Sequence, residues 1–268
     1  MSYTVLVDAG DTIQDNSAGI FTDEEVHPGL QWLNKMNYDI WVLGNHEFDY
    51  PAEYIEDIVK DFDNTVLTGN LYRKDGSRVT DGYKIIEKDG VRIAFIGMTT
   101  HNNNGWCKDA LENLKVTDPL DESRKIIDSI EGQYDVLVGV FHLGVENEYG
   151  IPHSGVTDIC NACPEFDIMV ASHEHKEVDG EMINGVLVVE NLNAAKSMSV
   201  IDIDLKRDGD GWKVDNKSSE CVHAEDYEPD SDIVSMFEPY DKEAVEDAET
   251  VIGKLEGDAL VPEKLPWL

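Results

Sequence analysis

The sequence predicts an α/β fold in which strands and helices alternate around an open, largely parallel sheet. Strand-like and helix-like segments follow one another from Tyr3 to about Ser172. The segments 134–141 and 166–171 are almost entirely apolar, which is typical of parallel strands covered on both faces. Short polar clusters follow several apolar runs, as functional loops do at the carboxyl edge of such sheets.

The first part of the chain is expected to supply strand–helix units and one hairpin. The expected elements are a strand at 3–8, a helix around 24–37, a strand at 39–43, a helix at 51–62 and a strand at 65–68. Pro28 and Pro51 suit the first turns of the two helices, because proline is favoured there. Asp89-Gly90 predicts a type I′ turn between strands at 82–87 and 91–98.

The second part of the chain begins with a helix at 120–130, and its pattern of secondary structure changes later. After residue 172 the pattern becomes antiparallel, and we expect a second sheet packed on the first. Its segments are a hairpin at 181–190 with Asn184-Gly185 at the turn, an alternating strand at 197–205, a turn at 208–211 and a strand at 212–214. From about residue 224 the chain is acidic and helical in pieces, with 242–255 the best stretch. The sequence therefore predicts one domain at 1–223 and an acidic helical tail and linker at 224–268.

Composition and charge narrow the classes of function. The chain has 268 residues, of which 41% are hydrophobic, and a net charge of −35. Such acidity argues against a basic face for polymeric nucleic acid, whereas a phosphate substrate is compatible because bound metals dominate their local field. No apolar run approaches a membrane span, and no secretory signal is visible. A cytoplasmic location is expected for the chain as given, and a secreted or periplasmic one if sequence precedes Met1.

The four cysteines are expected to be buried or reduced thiols. Cys160 and Cys163 form a single C-x-x-C pair, whereas a structural zinc site usually needs two such pairs.

Four polar clusters at the ends of strand-like segments carry the chemistry. They are Gly10-Asp11, Gly44-Asn45-His46-Glu47, His142 and His173-Glu174-His175. Loops that follow parallel strands open on the same edge of a sheet, so these clusters are expected to meet in one crevice. The side chains of Asp11, Asn45, His142, His173 and His175 would offer oxygen and nitrogen ligands to a divalent transition metal. The pattern predicts a metal-dependent hydrolase.

Each of these residues also has an ordinary structural explanation when taken alone. Asp11 could be a turn residue and Asn45 a cap, but their ordered placement at strand ends favours a metal site. If His173 and His175 lie in a strand, they point the same way and could serve two neighbouring metals. Two metals roughly 3.5–4 Å apart can generate a hydroxide and hold phosphoryl oxygens during in-line attack.

His46 is expected to act on the substrate and not on a metal. Asp49 lies three residues later, close enough to bond one ring nitrogen and orient the ring. A histidine held in this way could stabilise charge on a phosphoryl group or protonate the leaving oxygen. Glu47 receives no role.

The other histidines lie outside these clusters. His101 follows a strand-like run and is kept as a further candidate. His27 is expected on an exposed helix face, and His153 and His223 are expected in loops.

Six strings in the chain resemble those of the calcineurin-like metallophosphoesterases, in particular the branch of 5′-nucleotidases and 2′,3′-cyclic-nucleotide 2′-phosphodiesterases. They are VDAGDTIQ at 7–14, LGNHEFDY at 43–50, GNLY at 69–72, FIGMTT at 95–100, VFHLG at 140–144 and SHEHKEVDG at 172–180. GNHEFD followed by a single histidine and a final His-x-His is specific for this family, and GDTIQ favours the cyclic-nucleotide branch.

The resemblance implies a four-layer α/β/β/α sandwich of two mixed sheets flanked by helices. It also implies a pair of manganese, zinc or iron ions and a nucleotide or other small phosphate ester as substrate. The activity would be that of a 5′- or 3′-nucleotidase or a cyclic-nucleotide phosphodiesterase. Carried over by position, the residues take these roles: Asp11 resembles the bridging aspartate, Asn45, His142 and His173 the other ligands of the second metal, His175 a ligand of the first, and His46 with Asp49 the catalytic dyad.

Two departures from the family pattern bear on activity. Family members carry an Asp-x-His motif on a strand before the Gly-Asp motif, and residues 1–7 do not match it. We therefore expect weak binding of the first metal, reduced activity and an exposed edge beside the strand at 3–8. The nucleotidase branch also has a C-terminal domain that grips base and ribose, and this chain ends where that domain would begin. The alternative is a catalytically impaired binding or scaffold module of the same fold.

Overall fold

The computed structural model describes residues 3–209 and 211–253, which divide into one unit up to Glu228 and a second from Pro229. The strands are β1 (Val7–Asp8), β2 (Ile40–Trp41), β3 (Thr65–Val66), β4 (Leu71–Arg73), β5 (Tyr83–Lys88), β6 (Val91–Thr99), β7 (Leu114–Val116), β8 (Val136–His142), β9 (Ile168–Val170), β10 (Val178–Ile183), β11 (Val186–Glu190), β12 (Ser197–Asp208) and β13 (Gly211–His223). The helices are α1 (Asp15–Gly19), α2 (Pro28–Lys35), α3 (Ala52–Asp61), α4 (Asn103–Trp106), α5 (Pro119–Ser129), α6 (Val156–Ala162) and α7 (Ser231–Ala248). Short 3₁₀ turns cover His46–Asp49, Glu148–Gly150 and Ala224–Asp226.

Two sheets form the centre of the first unit. The smaller has the order β1-β2-β3 and is parallel throughout, with β1 at its edge as predicted. The larger has the order β10-β11-β9-β8-β6-β5, in which the four central strands are parallel and the two outer strands antiparallel. The antiparallel pairs β12-β13 and β4-β7 complete the described strands.

The apolar faces of these elements make three layers of core, which confirms the predicted α/β/β/α fold. Between the sheets lie residues such as Val42 and Leu67 from the smaller sheet region, and Val140 and Val189 from the larger sheet. Side chains of α2 and α3 cover the outer face of the smaller sheet. Side chains of α5 and α6 cover the outer face of the larger one. Full burial of each aliphatic side chain stabilises the fold by roughly 1.5–3 kcal/mol.

Both predicted tight turns have the expected backbone. Asp89 and Gly90 have φ values of 53° and 77°, and Asn184 and Gly185 of 48° and 87°. Two successive left-handed residues define a type I′ turn, whose twist matches that of the flanking strands. The hairpin β12-β13 is longer than predicted, and its register shifts after Asp204. Its apolar residues, which include Ile201, Ile203, Leu205 and Val214, pack against the core between the sheets.

The regular part of the helix expected around 24–37 begins at Pro28, as that proline predicts, and its N-cap is His27. Its ring Nδ1 accepts a hydrogen bond from the amide of Gly29 at 3.1 Å, and the other ring nitrogen lies 3.0 Å from the carbonyl of Ala18. The side chain is only 4% exposed, so the prediction of an exposed helix face for His27 is wrong. Both ring nitrogens face the backbone, one toward the amide of Gly29 and the other toward the carbonyl of Ala18.

The second unit contains the helix α7, which begins earlier than expected. Asp230 caps it by accepting hydrogen bonds from the amides of Asp232 and Ile233. This cap sets the first turn, and the helix continues through Pro239 to Ala248. The end of the predicted helical stretch, Leu255, lies outside the described residues, and the division into a domain at 1–223 and a tail at 224–268 stays a prediction. None of the helices in the described ranges is long and apolar enough to cross a membrane.

Asp135 joins the larger sheet to the long hairpin, and its replacement tests that junction. The buried carboxylate accepts hydrogen bonds from the amide and guanidinium of Arg92 at 2.9–3.1 Å and from the amide of Trp212 at 3.3 Å. Asp135→Asn should lower the free energy of unfolding by about 2 kcal/mol, since it removes hydrogen bonds to a charged acceptor. Urea denaturation at pH 7 measures this loss. The exposed Asp208, which pairs with Lys213 at 2.9 Å, provides the control, and Asp208→Asn should cost less than about 1 kcal/mol.

The same variant should show a defined dependence on pH. The hydrogen bonds from Arg92 hold the pKa of Asp135 below its usual value. A lowered carboxyl pKa contributes stability that is complete above the unfolded value of about 3.9 and is lost as pH falls through the folded value. The difference between wild type and Asp135→Asn should therefore shrink below about pH 4. Equal losses of stability in Asp135→Asn and Asp208→Asn at pH 7 would contradict the role of Asp135 in joining the sheet to the hairpin.

Candidate metal centre

Four strand ends from the two sheets place the candidate ligands. Asp11 follows β1 and Asn45 follows β2 in the smaller sheet, while His142 ends β8 and His173 follows β9 in the larger sheet. The carboxyl ends of parallel strands meet at one edge, and here the two facing sheets present that edge together. The sequence correctly placed these clusters after strands, although it did not assign them to different sheets.

The side chains of Asp11, Asn45, His142 and His173 come together at this edge. His142 Nε2 lies 3.1 Å from Asp11 Oδ2 and 3.1 Å from Asn45 Oδ1. One possible ligand atom from each of Asp11, His142 and His173 lies within 4.8 Å of the others. His142 is 1% exposed, so the group sits at the inner end of the crevice.

The surroundings of His142 fit a bound cation. Its Nδ1 lies 2.6 Å from the carbonyl of Ala9 and donates to it, which leaves Nε2 to face two oxygen acceptors. Burial disfavours the charged ring, but the Asp11 carboxylate outweighs burial and raises the pKa of His142 to about 9. Nε2 and the oxygens of Asp11 and Asn45 are thus nitrogen and oxygen donors already oriented toward one position, as a divalent ion requires.

Asp11 is held in a strained backbone position by close packing of two glycine loops. Its φ is 60° and that of Gly10 is 98°, and a Cβ at Gly44 would collide with Asp11 Oδ1. Asp11 Oδ1 accepts a hydrogen bond from the His46 amide at 2.8 Å. Burial opposes ionisation of Asp11, but His142 and this amide reverse the effect and hold the pKa well below its usual range.

Glu47 organises the two loops, a role that the sequence did not suggest. Its fully buried carboxylate accepts hydrogen bonds from the amides of Asp11 at 3.0 Å, Ile13 at 2.9 Å and Gly44 at 2.6 Å. Burial and then the charge of Asp11 raise the pKa of Glu47 to about 7. Nothing in the sequence distinguishes this acid from a solvent-facing one, because two of its three partners are backbone amides of a loop more than 30 residues away.

The loop after β9 differs from the prediction. The strand ends at Val170, and His173 and His175 have left-handed φ values of 85° and 58°, so the period-two argument for a shared direction is wrong. His175 is exposed and lies outside the group formed by Asp11, His142 and His173. Its role as a metal ligand stays a prediction.

His173 is surrounded by residues that the sequence did not single out. Its Nε2 lies 3.1 Å from Glu148 Oε2, and its ring stacks on Trp106 with centroids 5.7 Å apart. Tyr149, which is 82% exposed and has a φ of 51°, packs edge-on against Trp106. Trp106 ends α4 and Tyr149 lies in the 3₁₀ turn at Glu148–Gly150, so no sequence spacing indicates that they meet beside His173.

His46 and Asp49 form the predicted pair. His46 Nδ1 lies 2.7 Å from Asp49 Oδ2 within a single 3₁₀ turn. The two side chains are 33% and 51% exposed, and the contact leaves Nε2 of His46 free to face a substrate. Among the described residues, His101 does not join the group of possible metal ligands.

Comparison with known proteins defines the class. The model of the calcineurin-like phosphoesterase family matches residues 2–177. The chain belongs to the calcineurin-like phosphoesterase family, a metal-dependent class for which divalent ions are the implied cofactors.

Two curated relatives are similar to this chain in sequence, and one solved structure is similar to it in fold. The trifunctional nucleotide phosphoesterase protein YfkN of Bacillus subtilis is 25% identical over 95% of this chain and 20% of its own length. The 5′-nucleotidase of Vibrio cholerae is 24% identical over 88% of this chain and 50% of its own length. The crystal structure of calcineurin-like phosphoesterase YfkN from Bacillus subtilis superposes with a TM-score of 0.83, at 22% identity, over 92% of this chain and 85% of that one. The chain thus spans about a fifth to a half of the length of these two curated relatives.

Glu47→Gln tests whether the loop geometry depends on the carboxylate. The amide group offers one acceptor and places an NH₂ against a backbone N–H, so at least one buried amide loses its partner. We expect a loss of about 1–3 kcal/mol in the free energy of unfolding. Mn²⁺ affinity should fall by about 10- to 100-fold, as when a partner that positions a ligand is lost.

Denaturation and the electron paramagnetic resonance signal of free Mn²⁺ give the two measurements. Glu53→Gln on the exposed face of α3 makes the same chemical change outside the centre and should leave both values unchanged. An unaltered Mn²⁺ affinity in Glu47→Gln would mean that the loops hold their geometry without this carboxylate.

Proposed function

We propose that this protein hydrolyses phosphate esters of nucleotides, as a 5′- or 3′-nucleotidase or a 2′,3′-cyclic-nucleotide phosphodiesterase. The observation that carries the proposal is the meeting of Asp11, Asn45, His142 and His173 beside the His46–Asp49 pair. Relatives named as a nucleotide phosphoesterase and a 5′-nucleotidase support nucleotides as the substrate class.

The residues divide into metal-binding and substrate-directed groups. Asp11, Asn45, His142 and His173 would hold one divalent ion, and their mixture of oxygen and imidazole donors suits manganese, iron or zinc. An ion there supplies Lewis-acid activation of the phosphoryl group and of a water nucleophile. His175 and Asp11 would hold a second ion.

His46 acts on the phosphoryl group. Asp49 bonds Nδ1 at 2.7 Å and fixes the ring, so that the Nε2 atom stabilises negative charge or gives a proton to the leaving oxygen. The backbone amide of His46 also bonds Asp11, and this contact couples the position of the ring to that of the metal ligand.

Trp106 and Tyr149 form an aromatic rim beside the centre. Trp106 stacks on His173 on one side and is 44% exposed, while Tyr149 is almost fully open to solvent. A nucleobase is flat and polarisable and stacks on such surfaces at about 1–3 kcal/mol per base. The rim therefore favours a phosphate ester that carries an aromatic group.

A second candidate function is a binding or scaffold module without turnover. Two observations favour it: His175 lies outside the ligand group, and Glu148 contacts the ring nitrogen of His173. Either arrangement would lower occupancy by metal ions. The two functions differ in one measurable property, which is metal-dependent turnover.

Hydrolysis of bis-p-nitrophenyl phosphate and adenosine monophosphates with added Mn²⁺ tests the enzyme proposal. Wild-type protein should turn over both classes and lose activity on treatment with EDTA. His46→Ala should reduce kcat by about 10²- to 10⁴-fold, because it removes proton transfer in the transition state, while Mn²⁺ affinity stays unchanged.

His153→Ala provides the matched control, since His153 pairs with Asp118 and has no part in the proposed chemistry. Absence of metal-dependent turnover in the wild type would favour the scaffold function. Full activity in His46→Ala would contradict the assigned dyad.

The aromatic rim makes a separate prediction about specificity. Trp106→Ala should raise KM for adenosine monophosphate by about tenfold, equivalent to about 1.4 kcal/mol, and should leave KM for ribose 5-phosphate unchanged. Trp106→Phe should recover most of the preference. Equal losses on both substrates would mean that Trp106 supports His173 and does not contact the base.

A further inference from the structure

Glu177, Cys221 and His223 form a second cluster of possible metal ligands. One ligand atom of each lies within 4.8 Å of the others, and none of the three belongs to the centre at the strand ends. His223 Nε2 lies 3.4 Å from Glu177 Oε2. The sequence had suggested a loop for His223, but it is the last residue of β13, so that prediction is wrong.

Strand geometry explains why these residues meet. Cys221 and His223 are two residues apart on β13 and therefore project from the same face. Glu177 directly precedes β10, and a hydrogen bond of 3.2 Å from Ser219 to Asp179 joins these two strands. The contact between β10 and β13 brings the carboxylate of Glu177 to the face that carries the thiol and the imidazole.

We propose that Glu177, Cys221 and His223 bind a zinc ion. Thiolate, imidazole and carboxylate are the three side-chain donors that zinc uses in proteins, and three protein ligands leave one tetrahedral position for water. The thiol makes the site selective, because soft sulfur favours zinc over manganese or magnesium. This proposal is independent of the hydrolytic function.

The charges around the cluster agree with a cation. Within the part of the chain that the structure describes, Glu177 pairs with His223, and no lysine or arginine neutralises its carboxylate. On binding, the S–H bond of Cys221 breaks, an S–Zn bond forms and the proton leaves to solvent. Zinc affinity should therefore rise with pH.

A zinc ion at this place would tie two parts of the fold together. Glu177 ends the segment that contains His173 and His175, whose backbones are both left-handed. The other two ligands lie on the long hairpin. The ion would fix the far end of the histidine loop against β13 without touching the hydrolytic centre.

Cobalt titration of the full chain tests the proposal, with Co²⁺ as a spectroscopic substitute for zinc. A thiolate ligand gives an S→Co²⁺ charge-transfer band in the near ultraviolet, and added Zn²⁺ should remove it. We expect this band in the wild type. Cys221→Ser should abolish it, and His223→Ala should weaken Zn²⁺ binding at this site by more than about 10-fold, as the loss of metal-site partners does.

Three controls identify the thiolate. Glu220→Gln changes a carboxylate on the face of β13 opposite Cys221 and His223, and should keep the band. Asp11→Asn, which disrupts the other centre, should also keep it. Cys107 lies 3.8 Å from the carbonyl of Asn45 and could supply a thiolate to the other centre. If the band comes from Cys221, Cys107→Ser should not change it.

Several outcomes would overturn the proposal. They are a wild-type titration without a thiolate band, a band that survives Cys221→Ser, and a band lost in Asp11→Asn or Cys107→Ser. Circular dichroism of each variant establishes that it is folded. Cys221→Ser and His223→Ala each remove a different ligand, so the two variants test the site independently.

Discussion

The metal centre depends on hydrogen bonds to the buried carboxylate of Glu47. This carboxylate accepts amide hydrogen bonds from the loop after β1 and from the loop after β2, so one buried side chain holds both loops at a fixed separation. The separation is small enough that only glycine fits at position 44. This contact and the hydrogen bond from the His46 amide together hold the left-handed backbone of Asp11, whose carboxylate faces His142.

The sheets supply the second half of the centre by a different route. His142 ends a strand whose residues are all buried, and its ring is fixed by the carbonyl of Ala9 from the opposite sheet. The formation of this hydrogen bond therefore depends on the distance between the two sheets at their common edge. Packing of the core between the sheets sets this distance, since buried aliphatic side chains tolerate little change in volume. The geometry of the centre thus follows from the packing of residues far from it.

The sequence predicted well what depends on local pattern and poorly what depends on contact between distant loops. The strands before Asp11, Asn45, His142 and His173 and both Asn-Gly and Asp-Gly turns follow from apolar runs and backbone preference. His27 was misplaced because histidine is not among the usual N-cap residues and its ring is held by the carbonyl of Ala18 and the amide of Gly29. Glu47, Glu148 and Trp106 were missed because their partners lie on other loops. The prediction for His173 and His175 was wrong because it extended a strand pattern beyond the end of the strand. The backbone of both residues is left-handed.

Electrostatics explains how an acidic phosphoesterase can attract a negatively charged phosphate. The chain carries a net charge of −35, and Asp11, Asp49 and Glu148 add negative charge at the centre itself. Distant charges are screened beyond about 8 Å at physiological salt, so the local carboxylates decide whether a phosphate can approach. A divalent ion among Asp11, Asn45, His142 and His173 reverses the sign of the potential at that point. The same carboxylate that repels a phosphate in the metal-free centre therefore provides, through the cation it retains, the attraction that the substrate needs.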